Sequence, residues 1–93
     1  MDLFDLQREN EINNFLRIVA KKIRQKRIKE GKTVEDISYD ALGLNSTSFY
    51  NSAEKLANGK RFNLKHLFLL AKYYDCDVRD FFPDGGSNDA SIK

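Results

Sequence analysis

The chain has 93 residues, 41% of them hydrophobic and 32% charged, which suits one compact core but not two and is too apolar for an obligately disordered chain. Lys and Arg number 16 against 14 Asp and Glu, a net charge of +2, so the bulk charge points to no class of partner. The longest apolar run, Leu67-Phe68-Leu69-Leu70-Ala71, is far short of the roughly 20 residues that cross a bilayer, and one cysteine, Cys76, builds neither an internal disulfide nor a thiolate metal site.

Charge is distributed unevenly. Residues 1–16 carry Asp2, Asp5, Glu9 and Glu11 against Arg8, and this acidic start is unlike a secretory signal. A cytoplasmic, non-membrane protein is expected. Arg17, Lys21, Lys22, Arg24, Lys26, Arg27, Lys29 and Lys32 then concentrate positive charge before Thr33, and acidic residues dominate again after Tyr73. A basic centre of this kind is either a solvated helix face or a surface for a polyanion.

The first predicted element is a long helix. Ile12, Phe15, Leu16, Val19 and Ile23 recur at helical spacing, and Gly31 ends the pattern. Thr33 followed by Glu35 and Asp36 reads as the cap of a short second helix with Ile37, Ala41 and Leu42 inward, stopped at Gly43. Asn45 or Ser46 caps a third helix, in which Phe49, Ala53 and Leu56 form the apolar stripe and Asn58-Gly59 the end. Asn63 caps a fourth, with Leu64, Leu67, Leu70, Ala71 and Tyr74 inward. Asp77 caps a last turn anchored by Val78, Phe81 and Phe82 before Pro83, and 84–93 read as a disordered tail. The fold class is all-α.

Two short helices around a glycine turn, preceded by a basic helix, are the pattern of a helix-turn-helix. Ile23 to Thr33, Gly43-Leu44, Asn58-Gly59-Lys60-Arg61, Leu67 to Lys72 and Phe81-Phe82-Pro83 together resemble the five-helix domain of phage-repressor-type regulators, the XRE or Cro/repressor family. The resemblance covers residues 17–83, leaving 1–16 as an N-terminal extension. It departs from the family in four ways. Lys32 stands where an apolar residue is usual, and there is an additional residue between Thr33 and Gly43. The Gly43 to Asn58 interval is longer by about one helical turn, which suggests a longer third helix. Ala57 replaces an acid that would pair with Arg27, so that ion pair is expected to be missing.

The resemblance implies double-stranded DNA as partner, bound by a homodimer, with no cofactor, no small-molecule ligand and no catalysis. It places Ser46, Thr47 and Asn51 on the base-reading face of the third helix, with Ser48 and Tyr50 beside them; Asn51 is the best reader, since its amide can bond adenine twice. The lesser alternative for the run 45–48 is a hydroxyl-rich helix cap, whereas Tyr50 is equally well read as a half-buried packing residue. Arg27, Asn45, Asn58, Lys60 and Arg61 are the expected phosphate contacts. The alternative function is a protein-interaction module on the same fold, such as an antitoxin or accessory factor. An RNA-binding role is weaker, because Phe49 and Tyr50 are a poor stacking platform.

His66 is the single histidine, so no imidazole cluster is available for a metal. His66, Leu69 and Tyr73 line up as an expected exposed strip, suited to a dimer contact or to lying under the N-terminal segment, and Cys76 is expected to be an inert core thiol. For the extension, with Leu3, Phe4 and Leu6, the first expectation is packing on the fourth and fifth helices, followed by exchange with a second protomer and then fraying.

Overall fold

In the computed structural model, which describes residues 2–84, helix α1 (Leu3–Lys29) runs unbroken for 27 residues across the expected 16/17 boundary. Its start is fixed by Asp2, whose carboxylate accepts from the Asp5 N–H at 2.9 Å, and Lys26, Arg27 and Lys29 in its last turn complement the helix dipole. Gly31 follows at φ +67°, the left-handed conformation that suits glycine, and lets the Lys32 N–H return to the Arg27 carbonyl at 3.0 Å.

Three α-helices form among the described residues, where five were expected. Besides α1 they are α2 (Ser48–Glu54) and α3 (Leu64–Tyr74). The expected second helix is instead a six-residue π-helical turn, Asp36–Ala41, and the expected fifth is a four-residue 3₁₀ turn, Val78–Phe81. The π turn accounts for the additional residue before Gly43. Its wider winding takes the Leu42 N–H to the Ile37 carbonyl at 3.0 Å, an i→i+5 bond that absorbs the insertion while keeping Ile37 and Leu42 buried. Thr33 and Asp36 cap its entry reciprocally, each backbone N–H reaching the other's side chain at 3.0 Å. These bonds, backbone first, lower the Asp36 carboxyl below its ordinary range.

The core draws on every element: Val19, Ala20 and Ile23 from α1, Ile37 and Leu42 around the π turn, Tyr50 and Ala53 from α2, Leu67, Leu70 and Ala71 from α3, and Phe81 from the 3₁₀ turn. Each fully buried aliphatic side chain contributes on the order of 1.5–3 kcal/mol. The Asp77 carboxylate caps the last turn, accepting from the Arg79 N–H at 2.9 Å, and the Arg79 guanidinium pulls its pKa down to about 2. Cys76 is half-buried against the core, and burial raises its thiol pKa.

Two expected faces are revised. On α3 the exposed large apolar residues are Leu64 and Phe68, whereas His66, Leu69 and Tyr73 are half-buried. The reason lies in what covers that flank: the His66 ring stacks 4.6 Å from Phe49, the Lys32 ammonium lies 5.6 Å from the Tyr73 ring, and the π turn packs on α3. Lys32 thus stands at the usual apolar position with its ammonium over an aromatic ring. The second revision concerns residues 2–15, which are all exposed and do not fold back on the later helices. One ring contact ties them to the body, Phe15 against Phe82 at 6.1 Å. The tail from Gly85 onward lies outside the described residues. No helix among the described residues is long and apolar enough to cross a membrane.

Candidate nucleic-acid interface

Helix α2 is short, seven residues, and its orientation depends on its inward face. That face is Tyr50 and Ala53, both with no exposed surface; it keeps Ala53 of the expected stripe of Phe49, Ala53 and Leu56 but has Tyr50 in place of Phe49. Phe49 is half-buried and belongs to a side cluster, its ring edge-on to Phe62 at 5.9 Å. Tyr50 is therefore corrected from base reader to core residue. Burial, then the Glu54 carboxylate, pushes its phenol well above the ordinary range.

Glu54 closes the helix by pairing with α1. Arg27 donates from Nε to Glu54 Oε2 at 3.0 Å and from a terminal nitrogen to Oε1 at 3.3 Å, and its other terminal nitrogen donates to the Lys32 carbonyl at 3.2 Å. The two side chains are 15% and 6% exposed, and the Glu54 hydrogen bond raises the Arg27 pKa against the opposing effect of burial. The Arg27 pair expected to be missing is thus present, with Glu54 in place of the residue at Ala57. Arg27 is corrected accordingly: its guanidinium is spent inside the protein, joining α1, α2 and the loop at Lys32, and is not a free phosphate contact.

The outward face of α2 keeps Thr47 and Asn51 one turn apart, Asn51 fully outward and Thr47 half-buried. Neither side chain has a hydrogen bond among the described residues. Ser46 is exposed, but its hydroxyl accepts from the Ser48 N–H at a long 3.4 Å, so it serves in part as the expected cap; the N-cap position itself falls on Thr47, with no side-chain bond. Asn45 is exposed at the start of the same face.

The third helix is not longer. It ends at Glu54, and the extra residues form the following loop. The Leu56 N–H bonds the Ala53 carbonyl at 3.1 Å and the Ala57 N–H bonds Ser52 at 2.8 Å, with Leu56 at φ +55° in the left-handed region. This pattern is a Schellman stop in which leucine fills the usual glycine position. The Asn58 amide donates to the Ser52 hydroxyl at 3.2 Å, and one Arg61 terminal nitrogen donates to the Leu56 and Lys60 carbonyls at 3.2 and 2.8 Å. Both side chains shape the loop. Lys60 is exposed and without an ion-pair partner among the described residues.

A cationic groove lies where α1 passes the end of α2, at residues outside the expected site. Arg17, Lys21 and Arg24 line it from α1 and Lys55 from the helix end, with Glu54 and Leu56 between them. Arg24 lies 4.0 Å from Glu54, whose carboxylate is bonded more closely to Arg27, so the groove carries an excess of positive charge. The signal was available: positions 17, 21 and 24 follow the i, i+4, i+7 rule for one helix face. Among the described residues no group of His, Cys, Asp and Glu is arranged to hold a metal. Comparison with protein-family models, curated proteins and solved structures finds no match.

Proposed function

We propose that the protein binds double-stranded DNA sequence-specifically, as a repressor-type helix-turn-helix regulator in the cytoplasm that acts by occupying an operator as a homodimer. The observation carrying this reading is α2: anchored inward by Tyr50, Ala53 and the Arg27–Glu54 pair, it leaves the unbonded side chains of Asn51, exposed, and Thr47, half-buried, on its other face, with a cationic groove at its end. In the five-helix scheme the π and 3₁₀ turns stand for the second and fifth helices. Asn51 and Thr47 read base edges, with Ser46 and Asn45 at the helix start. Lys60, the Arg61 donors not used in the loop, and the groove of Arg17, Lys21, Arg24 and Lys55 hold phosphates.

The test is a selection of preferred duplexes followed by competition with single-base variants. Asn51→Ala should lose about 1–3 kcal/mol at one base position and leave random-sequence binding nearly unchanged. Lys60→Ala should weaken all sequences alike and make the slope of log affinity against log salt shallower by roughly one unit. A folded Asn51→Ala protein with full sequence preference would overturn the placement of the reading face. The second reading, a protein-interaction module, is favoured by Leu64 and Phe68, exposed side by side on α3 at 76% and 61%. Failure to be retained on duplex DNA even at low salt, where phosphate-neutralising contacts are strongest, would support it over the first.

A further inference from the structure

The N-terminal half of α1 is an exposed helix joined to the body by the Phe15–Phe82 ring contact. Leu3, Phe4, Leu6, Ile12 and Phe15 are between 44% and 82% exposed, and the hydrogen bonds and ion pairs found for residues 2–14 stay within α1 and its cap. A solvated helical arm of this length is marginal in water unless a partner covers it.

Phe4, Arg8, Glu11 and Phe15 are spaced by four, three and four residues, the d, a, d, a positions of a heptad, and so form one stripe along the arm. The order of chemistry in that stripe, aromatic, cation, anion, aromatic, is a palindrome. If a second arm is laid against it in the opposite direction, about a dyad between Glu9 and Asn10, each Phe4 meets the partner's Phe15 and each Arg8 meets the partner's Glu11. Every layer is complementary, and the dyad makes each layer occur twice. In the parallel arrangement Arg8 would face a second Arg8 and Glu11 a second Glu11, so charge selects the antiparallel one.

The arm is shaped for this packing. Phe4, Gln7, Arg8 and Glu11 already line a groove along it. The Arg8 guanidinium lies over its own Phe4 ring, 4.3 Å from the centroid, and 3.9 Å from Asp5 on the surface, contacts that are weak in solvent and can be exchanged for the partner's carboxylate. At the other end Phe15 sits by Phe82, so an incoming Phe4 would join a pair of rings.

We infer that this arm is a dimerisation element and that its occupant is the arm of a second copy, paired antiparallel through Phe4–Phe15 and Arg8–Glu11 layers. The inference does not depend on DNA binding. Because the contact spans only about two heptads, the dimer is weak and its population follows concentration.

The experiment is sedimentation equilibrium of the full chain over a wide concentration range, with thermal melts of each variant. Wild type should pass reversibly from monomer to dimer. Arg8→Glu and Glu11→Arg, which each place like charges in both central layers, should raise the dimer Kd at least tenfold. The double variant R8E/E11R restores the palindrome with its signs reversed and should return within about threefold of wild type. An equimolar mixture of the two single variants should form a heterodimer. Phe4→Ala should weaken the dimer without moving the melting of the body, because Phe4 makes no core contact. A protein that stays monomeric throughout, or single variants that dimerise as wild type does, would overturn the inference; the second result would place the contact elsewhere, with Leu64 and Phe68 the next surface to test. A double variant as weak as the singles would refute the antiparallel register.

Discussion

Replacing Glu54 by alanine should cost about 3 kcal/mol, because it leaves the Arg27 guanidinium in a site where only 15% of its side chain meets water. Breaking a buried pair by removing one partner typically costs about 3–5 kcal/mol. The lower end applies here, since Arg27 keeps its bond to the Lys32 carbonyl and has an edge open to solvent. A domain of about 80 residues has a total stability of roughly 4–12 kcal/mol, so this one change removes a large fraction of it and lowers Tm by about 12–24 °C. Far-UV circular dichroism in urea and on heating measures both quantities. Two further arms make the reasoning specific. Arg27→Met with Glu54→Leu, which removes both charges, should recover most of the loss. The deficit of Glu54→Ala should persist in high salt, where an exposed pair would already be screened. A loss below about 1 kcal/mol, or a double variant no better than the single, would refute the view that this pair fixes α2 to α1.

Tyr50→Ala should destabilise by about 3–5 kcal/mol, as expected for emptying a fully buried aromatic site, whereas Phe49→Ala, in its half-buried side cluster, should cost about 1–2 kcal/mol; urea titrations of the pair would expose an inverted order. His66 accepts from the Asn63 N–H through Nδ1 at 3.1 Å, and burial, then Lys65, lowers its pKa below 6.5. The unfolded chain therefore takes up the proton first: the stabilisation is complete above pH about 6.5 and is lost as pH falls through the folded value. His66→Gln keeps a capping-box acceptor without titrating, and stability measured against pH should lose that slope; an unchanged slope would assign it to another group. Ser38 is completely buried with its hydroxyl unpartnered, so Ser38→Ala should be stabilising by about 1 kcal/mol, and a destabilised variant would mean that the hydroxyl has a hidden acceptor.

The parts of the fold readable in advance are those where one residue type dictates local geometry. Thr33, Asn63 and Asp77 cap where expected, and Gly31 and Gly43 turn the chain at positive φ. What periodicity could not decide was phase over short elements. In α2 two adjacent aromatics, Phe49 and Tyr50, offer equally good stripes, and the choice falls to Tyr50 because Arg27 and Glu54 meet beside it, a long-range contact absent from local pattern. For the extra residues after Gly43 a whole additional helical turn preserves phase and so is the expectation from pattern; the stop at Leu56 relies on leucine in a left-handed conformation, which propensity disfavours. On α3, the half-burial of His66 depends on Phe49 arriving from α2. Of the candidate site, the polar face at Thr47 and Asn51 was legible, while the groove of Arg17, Lys21, Arg24 and Lys55 required the α1–α2 crossing to be known.

The Schellman stop at Leu56 separates two properties of the proposed interface. Because α2 is terminated by its own backbone and held by Glu54, its length does not depend on how many residues follow before Asn63. Beyond Ala57, whose N–H completes the stop, the segment up to Arg61 can lengthen, shorten or change charge while Thr47 and Asn51 keep their positions. Overall grip on a duplex and choice of sequence are then adjustable one at a time, the first by exchanging the loop and the second by exchanging two side chains on a helix that the exchange does not disturb.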